Sequence, residues 1–339
     1  PHLLNIVKSF VDSWSTVDEN CANIEKLAGG ITNKIFLIEN KSLDKDNQIM
    51  VRIYGRKTDL ILDRKRGVEN LKRLFAGNAG PRLYGVFANG LVVGYIPGSA
   101  IETSAGMADD DVVPLIAKEL ARWHLPPITK PHETQLALSD TNLFQQTRKF
   151  LASAPSCFEE ESKEALLKSS KLNLNALNQE LEYLQNFIAE HENDINTDIA
   201  FCHNDLLSGN IVIDDKKVTF IDTEYGAVNF ACFDIANHWC EWTGFELNWN
   251  QFPSKEQQTR WCTEYLTALK NAEASADEVE ALRRSVMFFV LGSELYWCAW
   301  AFAQAAISVI EFDYLSYAIK RFDRFLLNKT AFSEQVLQK

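Results

Sequence analysis

Residues 201–226 have the sequence FCHNDLLSGNIVIDDKKVTFIDTEYG, in which a polar turn separates two short apolar runs. NIVID and VTFID flank DKK, and this pattern predicts a short β-hairpin. Asn210 precedes the first predicted strand and Asp222 ends the second, so we expect the hairpin to bring the two side chains together. Two strands do not by themselves require polar residues at these positions, and we therefore interpret the polar residues as candidates for a functional site.

The H-x-D-x4-N spacing of residues 203–210, followed by Asp222, supplies the groups that phosphoryl transfer needs. That reaction requires metal ions held by oxygen ligands, an oriented nucleophile and compensation of charge on the transferred group. Asp205 could accept or orient a hydroxyl proton. Asn210 and Asp222 could hold Mg²⁺, which prefers carboxylate and amide oxygens. Any one of these residues alone is better explained as a cap, strand or loop residue, whereas the set together predicts a kinase.

The pattern of the chain changes near residue 98. Before it, short apolar or alternating runs predict strands at 33–40, 48–55, 81–87 and 91–98, and a helix is predicted within 58–77. After it, helical periodicity covers 109–125, 158–193, 255–271, 276–307 and 311–327. We therefore expect an α+β fold with a β-rich lobe, residues 1–98, and a mostly helical lobe, residues 99–339. A crevice between such lobes is a common ligand site.

The segment LAGGITNKIF, residues 27–36, is a candidate phosphate-binding loop. Gly29 and Gly30 would let the backbone approach a phosphate closely, and Thr32 and Asn33 could donate to oxygen. Alone, the segment is better explained as a hairpin turn, since no G-K-[ST] follows. The basic residue of the next predicted strand, Arg52, favours the phosphate-binding hypothesis.

Charge and cysteine content exclude several classes. The net charge of -12 disfavours a nucleic-acid partner. Seven cysteines, an odd number without a C-x2-C pair, predict a reduced, cytoplasmic protein and no zinc site. The N-terminus lacks the pattern of a signal peptide. Residues 286–310 could span a bilayer by length, but Glu294 and Gln304 lie inside the segment, so we expect a buried core helix and no membrane anchor.

From about residue 25 to 328 the sequence resembles the choline/ethanolamine kinases, which have a two-lobed protein-kinase-like fold. The segments that carry the resemblance are GGITNK, VRIYG, GPRLYGVFANG, HNDLLSGNI, FIDTEYGAVNFACFDIANHWCEW and ELYWCAWAFAQAAISVIEFDYLSYAIKRFD. The resemblance implies transfer of the γ-phosphate of Mg-ATP to the hydroxyl of a small amino alcohol, for phospholipid synthesis through CDP-ethanolamine. The expected partners are ATP and ethanolamine or choline, and a homodimer is left open.

The resemblance also assigns site residues. Asp205 is similar to the catalytic aspartate, and Asn210 and Asp222 to the metal ligands. ATP would contact the glycine-rich loop, Arg52, and the 93–98 segment through Tyr95 and Ile96. The acidic and aromatic positions around the ammonium match Glu241, Trp297, Trp300 and Tyr317, and an ammonium is attracted to both kinds of group. Without the resemblance, these aromatic residues would be assigned to core packing.

Two departures from the family pattern leave alternatives open. Gly67 stands where we expect an acid that pairs with Arg52, and either Glu69 or Asp63 could substitute. Thr243-Gly244-Phe245 replaces a run that gives choline kinases a pocket tyrosine, which favours ethanolamine and keeps choline, or use of both, open. A kinase for an aminoglycoside or homoserine is less consistent with the aromatic residues, and a pseudokinase is less consistent with the intact Asp205, Asn210 and Asp222.

Overall fold

A computed structural model describes residues 2–27, 33–55, 64–308 and 310–338. Contacts divide the chain into two compact units: Pro1–Ser99 with Val212–Tyr225, and Ala100–Ile211 with Gly226–Lys339. The predicted lobe boundary at 98/99 is one residue from the end of the first segment. The hairpin segment 212–225, which the predicted division included in 99–339, belongs by its contacts to the first unit. The two functional lobes stay a prediction.

Among the described residues, the first unit contains several strands and two α-helices. Its strands are β1 (Asn23–Leu27), β2 (Asn33–Glu39), β3 (Gln48–Tyr54), β4 (Leu83–Phe87) and β5 (Gly90–Gly94), and its helices are α1 (His2–Phe10) and α2 (Arg64–Ala76). The strands form an antiparallel sheet in the order β1-β2-β3-β5-β4. Further along the chain come β6 (Ser99–Ala100), β8 (Ile211–Asp214) and β9 (Lys217–Phe220), of which β8 and β9 are hydrogen-bonded neighbours as the sequence predicts.

The core of the first unit lies on one face of the sheet. Ile49 and Val51 alternate inward along β3, and Val51 is directly opposite Val92 of β5. The amphipathic helix α1, which the sequence analysis did not predict, covers this face with Leu4 and Val7.

The second unit is mostly helical. Its helices are α3 (Val113–Trp123), α4 (Asn142–Ser153), α5 (Glu161–Ser169), α6 (Leu174–Glu190), α7 (Ala231–Glu241), α8 (Lys255–Lys270), α9 (Ala276–Ile307) and α10 (Tyr314–Val336). A two-stranded antiparallel sheet, β7 (Ile199–Cys202) with β10 (Ala227–Phe230), precedes α7. The predicted helix over 158–193 is two helices, and α4, α7, β7 and β10 were not predicted.

The long helix α9 lies at the centre of this unit, in contact with α4, α6, α7, α8 and α10. By length and composition it could cross a membrane, yet 94% of its most apolar window is buried within the protein. The expected core helix is therefore what the structure has. A capping box at Ser275 and Glu278 fixes its start.

Candidate functional site

In the first unit, Arg52 is paired with two carboxylates. Strand β3 carries Arg52, whose Nη1 donates to Asp222 Oδ1 at 3.2 Å and to Glu224 Oε1 at 2.8 Å. Burial opposes the charge of Arg52, but these two carboxylates keep its pKa raised. Asp222 adopts a left-handed backbone conformation with φ of 58°, which is uncommon outside glycine and concentrates at functional sites.

The acid that pairs with Arg52 is thus Glu224, in addition to Asp222, and not a residue of α2. Glu69 is exposed and bonds Lys72 at 2.9 Å, and Asp63 lies outside the described residues. At Gly67 an added Cβ would meet no described atom within 4 Å. Glu224 sits in the tight turn Thr223–Tyr225 directly after Asp222, which explains how it reaches the same guanidinium.

A pocket opens beside this ion pair, within the first unit. Arg52, Asp222 and Glu224 form its charged part, and Arg64 stacks over the Tyr54 ring at 4.7 Å. The remaining lining comes from the sheet, α2 and the segments after β5 and β9: Met50, Gly67, Leu71, Leu74, Pro81, Leu91, Val93, Ile96, Phe220, Ile221 and Thr223. An apolar cavity with a few charged groups at one part suits a small anionic ligand with an apolar ring.

Of the other residues predicted to bind the nucleotide, the structure describes some and not others. Ile96 lines this pocket, and the Tyr95 N–H bonds the carbonyl of Gln48 at 3.3 Å after β5 ends. Gly29, Gly30 and Thr32 lie outside the described residues. Asn33 begins β2, and its side chain is likewise outside the description.

In the second unit, the residues after β7 are held by one face of α7. Because β7 pairs with β10, and α7 follows β10 directly, the start of α7 lies beside residues 203–206. The buried Asp234 accepts the N–H groups of His203 at 2.8 Å and Asn204 at 2.7 Å. His124 Nε2 lies 3.2 Å from the same carboxylate. Burial disfavours its charge, but the bonds from His124 and the Asn204 N–H hold the pKa of Asp234 below its ordinary value.

One turn further along α7, two more side chains bond the same loop. Asn237 Oδ1 accepts the N–H of Leu206 at 3.2 Å, and His238 Nδ1 lies 3.0 Å from the Leu206 carbonyl. Burial lowers the pKa of His238 to about 4, so its ring is neutral at pH 7. Trp242 Nε1 donates to His238 Nε2 at 3.3 Å, which leaves Nδ1 as the protonated nitrogen that donates to the carbonyl.

Asp205 is presented on this fixed loop. Its side chain is half-buried, its own N–H donates to His203 Nδ1 at 3.3 Å, and Asn210 Nδ2 donates to its carbonyl at 2.8 Å. The same amide lies 3.4 Å from Asp205 Oδ2. Asn204, directly before Asp205, is left-handed with φ of 63°. Two of the predicted catalytic residues, Asp205 and Asn210, are therefore in hydrogen-bond contact with each other.

The predicted ammonium residues also lie within the second unit. Trp297 and Trp300 meet edge to face at 5.3 Å on α9. On α7, the buried Glu241 is paired with Arg321 of α10, whose Nη2 lies 3.3 Å from Glu241 Oε1. The same guanidinium donates to the Tyr317 hydroxyl at 2.6 Å. Burial raises the pKa of Glu241, and Arg321 opposes that rise.

The sequence analysis missed four residues of these arrangements: Glu224, Asp234, Asn237 and Arg321. For α7 a signal was present, because residues 234, 237, 238 and 241 have the i, i+3, i+4, i+7 spacing of one helix face. All four side chains on that face are polar, although the whole helix is buried. A polar stripe on a buried helix needs partners, and here the partners are the loop that carries Asp205 and the guanidinium of Arg321.

Comparisons with known proteins show which proteins this chain is similar to. The chain is 32% identical over 332 residues to a protein named probable ethanolamine kinase from Arabidopsis thaliana, covering 97% of this chain and 85% of the relative. It is 33% identical over 335 residues to one named probable ethanolamine kinase A from Dictyostelium discoideum, covering 97% and 92%. The crystal structure of choline kinase from Cryptosporidium parvum Iowa II superposes with a TM-score of 0.80 at 21% identity, covering 98% of this chain and 96% of that one. That structural likeness shows the kinase-like fold alone.

The model of one protein family, described as choline/ethanolamine kinase, matches residues 24–326. This range includes the Arg52 pair, the loop of Asp205, the face of α7 and the aromatic residues of α9. A match over so much of the chain, together with relatives above 30% identity, shows that this chain belongs to the choline/ethanolamine kinase family.

Proposed function

We propose that this protein transfers the γ-phosphoryl group of Mg-ATP to the hydroxyl of ethanolamine, giving phosphoethanolamine and ADP. The observation that carries the proposal is the polar face of α7. The same face holds the loop of Asp205 through residues 234, 237 and 238 and presents Glu241 one turn further on. One helix face thus anchors the loop of the proposed proton acceptor, Asp205, and also carries Glu241, the carboxylate proposed for the ammonium.

Asp205 is the proposed catalytic residue. Its carboxylate orients the substrate hydroxyl and accepts its proton while the new O–P bond forms and the bond from the γ-phosphorus to the leaving oxygen breaks. Positioning is most of what such a reaction asks of a protein. The hydrogen bonds from α7 to residues 203, 204 and 206 provide that positioning, because they fix the backbone on both sides of Asp205.

ATP and Mg²⁺ fit the residues that are present. The pocket of the first unit has an apolar lining for a base, with Tyr95 and Ile96 after β5 as the proposed adenine contacts. Arg52 would bind phosphate oxygens, together with the loop residues Gly29, Gly30, Thr32 and Asn33. Asn210 and Asp222 offer amide and carboxylate oxygens, the donor set that Mg²⁺ prefers. When bound, the metal neutralises charge on the phosphates.

The ammonium is assigned to Glu241 with the aromatic rings of Trp297, Trp300 and Tyr317. A buried carboxylate and aromatic faces both attract a cation, and a primary ammonium also needs hydrogen-bond acceptors, which Glu241 provides. Both relatives quoted above carry ethanolamine kinase in their names, which supports ethanolamine over choline. The product would enter phospholipid synthesis through the CDP-ethanolamine route, and we propose a cytoplasmic location for the enzyme.

The test is a paired substrate assay. ADP release is measured with ethanolamine and with choline at saturating Mg-ATP, and the phosphorylated product is identified by mass spectrometry. We expect kcat/KM to be at least about tenfold higher for ethanolamine, which corresponds to the loss of one good hydrogen-bonded contact. A preference for choline would overturn the ethanolamine assignment. ATP binding without ADP formation from either alcohol would overturn the kinase activity itself.

A further inference from the structure

The charges around Arg321 do not balance. Arg321 is fully buried and is faced by two buried carboxylates, Glu241 and Glu294. Its Nη2 lies 3.3 Å from Glu241, and its Nη1 lies 3.5 Å from Glu294 Oε2 on α9. If both acids are ionised, the three ion-paired groups, Arg321, Glu241 and Glu294, carry one excess negative charge away from water. The half-buried Arg324 acts on Glu294 without forming an ion pair with it among the described residues, and an unpaired buried charge is costly unless a cation joins it.

The two carboxylates differ in exposure and in the hydrogen bonds that they make. Glu241 is at the edge of the cluster with 9% of its side chain exposed, and it shares the Nη2 of Arg321 with the Tyr317 hydroxyl. Glu294 is deeper, with 1% exposed, and neither of its oxygens has a hydrogen bond among the described residues. Arg321 Nη1, which faces Glu294, is equally without a hydrogen bond there. Glu294 therefore has capacity for a stronger bond to Arg321 than it makes in this structure.

Glu294 is also linked to the aromatic residues of the site. It lies one turn before Trp297 on α9, so both side chains are on the same helix face. This places a second acid on the helix face that carries Trp297, in addition to the set Glu241, Trp297, Trp300 and Tyr317.

We propose that Glu294 is a positioning residue that serves as the second counter-ion of Arg321, so that Glu241 is left available for the ammonium of the amino alcohol. The inference rests on the proposed function. When the cation binds, the two carboxylates are matched by one buried guanidinium and one ammonium, so that each acid has its own cation. Without the charge of Glu294, Arg321 would hold Glu241 for itself and the ammonium would lose its partner.

The protonation of Glu294 supports this exchange. Burial raises its pKa to about 7, against the opposing effects of Arg321 and Arg324 from α10, while Glu241 from α7 adds to the rise. The other titratable groups that face the cluster stay neutral because burial raises the pKa of each: Cys240 of α7, Cys298 of α9 and Tyr317 of α10. Below pH 7 a substantial fraction of Glu294 is then protonated in the free enzyme, and it loses its proton to solvent when the ammonium arrives.

The experiment compares the wild-type chain with Glu294→Gln, which keeps the shape of the side chain and removes its charge. We expect KM for ethanolamine to rise about tenfold, within the usual range of coupling between neighbouring groups, with kcat and KM for ATP nearly unchanged. In the wild type, KM for ethanolamine should fall as pH rises through about 7, because ionised Glu294 favours the ammonium. In Glu294→Gln this dependence should be lost, and Glu294→Asp should restore part of it.

Glu280→Gln is the matched control, since Glu280 lies on the same helix at the surface and pairs with Arg283. It should change neither KM nor its pH dependence. An unchanged KM for ethanolamine and an unchanged pH profile in a folded Glu294→Gln variant, with the wild type active, would overturn the role of Glu294 and leave the proposed function intact. A wild type that phosphorylates neither alcohol would overturn both.

A measurement on the wild type alone covers the case in which Glu294→Gln does not fold. Ethanolamine is titrated into the enzyme at pH 6.5 by calorimetry in two buffers of different ionisation enthalpy. We expect release of a large part of one proton on binding. Binding without proton release would contradict the proposed exchange.

Discussion

At the scale of single residues, each unit contains an arginine that faces two carboxylates. Arg52 meets Asp222 and Glu224, and Arg321 meets Glu241 and Glu294. In each case two carboxylates face one guanidinium, which leaves one excess negative charge that suits a further cation. For Arg52 the proposed cation is Mg²⁺, and for Arg321 it is the substrate ammonium.

The proposed chemistry predicts that the loss of a single carboxylate, at Asp205 or Asp222, greatly lowers kcat. Asp205→Ala removes the group that orients the hydroxyl, and Asp222→Ala removes a proposed metal ligand. Each variant should lower kcat on the order of a thousandfold or more, because aligned reactants and a bound metal supply most of the catalysis. The measurement is steady-state ADP release at saturating substrates.

The matched control for both variants is Asp214→Ala, at the exposed end of β8. It should keep a near-normal rate. A rate within tenfold of the wild type in Asp205→Ala or Asp222→Ala would exclude the role assigned to that residue.

At the scale of elements, α7 is the helix that organises the predicted site residues of the second unit. Its buried polar face accepts two backbone N–H groups at Asp234, one more at Asn237, and reaches Arg321 at Glu241. A loop with two consecutive bonds to one buried carboxylate has little freedom, which is what positioning of Asp205 requires.

Asp234→Asn tests this anchoring. The amide keeps one acceptor but turns an NH₂ group toward a backbone N–H, so a buried donor loses its partner at a cost of roughly 1–3 kcal/mol. We expect a lower free energy of unfolding in urea and a fall in kcat, together with faster hydrogen exchange of the amides of residues 203–206.

Ser275→Ala is the comparison for this element, since it removes the capping box of α9 away from the loop. It should cost about 1 kcal/mol of stability and leave kcat unchanged. Equal kinetic effects of Asp234→Asn and Ser275→Ala would show that stability alone, and not loop anchoring, explains the loss of rate.

At the scale of the whole molecule, two buried groups act on stability in opposite directions as pH changes. Glu294, with its pKa raised from 4.5 to about 7, favours the folded state most when it is protonated, so its contribution is lost as pH rises from 4.5 through 7. His238, with its pKa lowered from 6.5 to about 4, is neutral when folded, so its contribution is lost as pH falls from 6.5 through 4.

Replacing Glu294 by glutamine should remove its contribution to the pH dependence of stability and leave the contribution of His238. The free energy of unfolding of Glu294→Gln, minus that of the wild type, should increase by about 3 kcal/mol between pH 4.5 and 7, as a shift of about 2.5 pKa units implies. The measurement is urea unfolding over this pH range, with Glu280→Gln as the control that should follow the wild type. A difference that stays constant with pH would show that Glu294 is ionised throughout.

Much of the fold was predictable because its patterns are local. The strands β2 to β5, the hairpin of β8 and β9, and the helices α2, α3, α8, α9 and α10 were predicted from periodicity and turn residues. The elements that were missed among those described are α1, α4, α7, β1, β6, β7 and β10. Strand β7 is apolar and buried along its whole length, so it shows no contrast between an apolar and a polar face, and this contrast is what periodicity detects. Helix α7 has a polar face, but that face is buried against other parts of the protein and does not mark an amphipathic surface helix.

By itself the sequence determined the family, the phosphoryl-transfer residues Asp205, Asn210 and Asp222 as hypotheses, and the aromatic residues proposed for the ammonium. Those inferences depend on short spacings along the chain, which can be recognised without knowledge of the fold. Only the tertiary structure decided that Glu224 pairs with Arg52, that Asp234 holds the loop of Asp205, and that Arg321 lies between Glu241 and Glu294. The reason is that a buried charge chooses its partner by proximity in space, and these partners are contributed by segments as much as 172 residues apart.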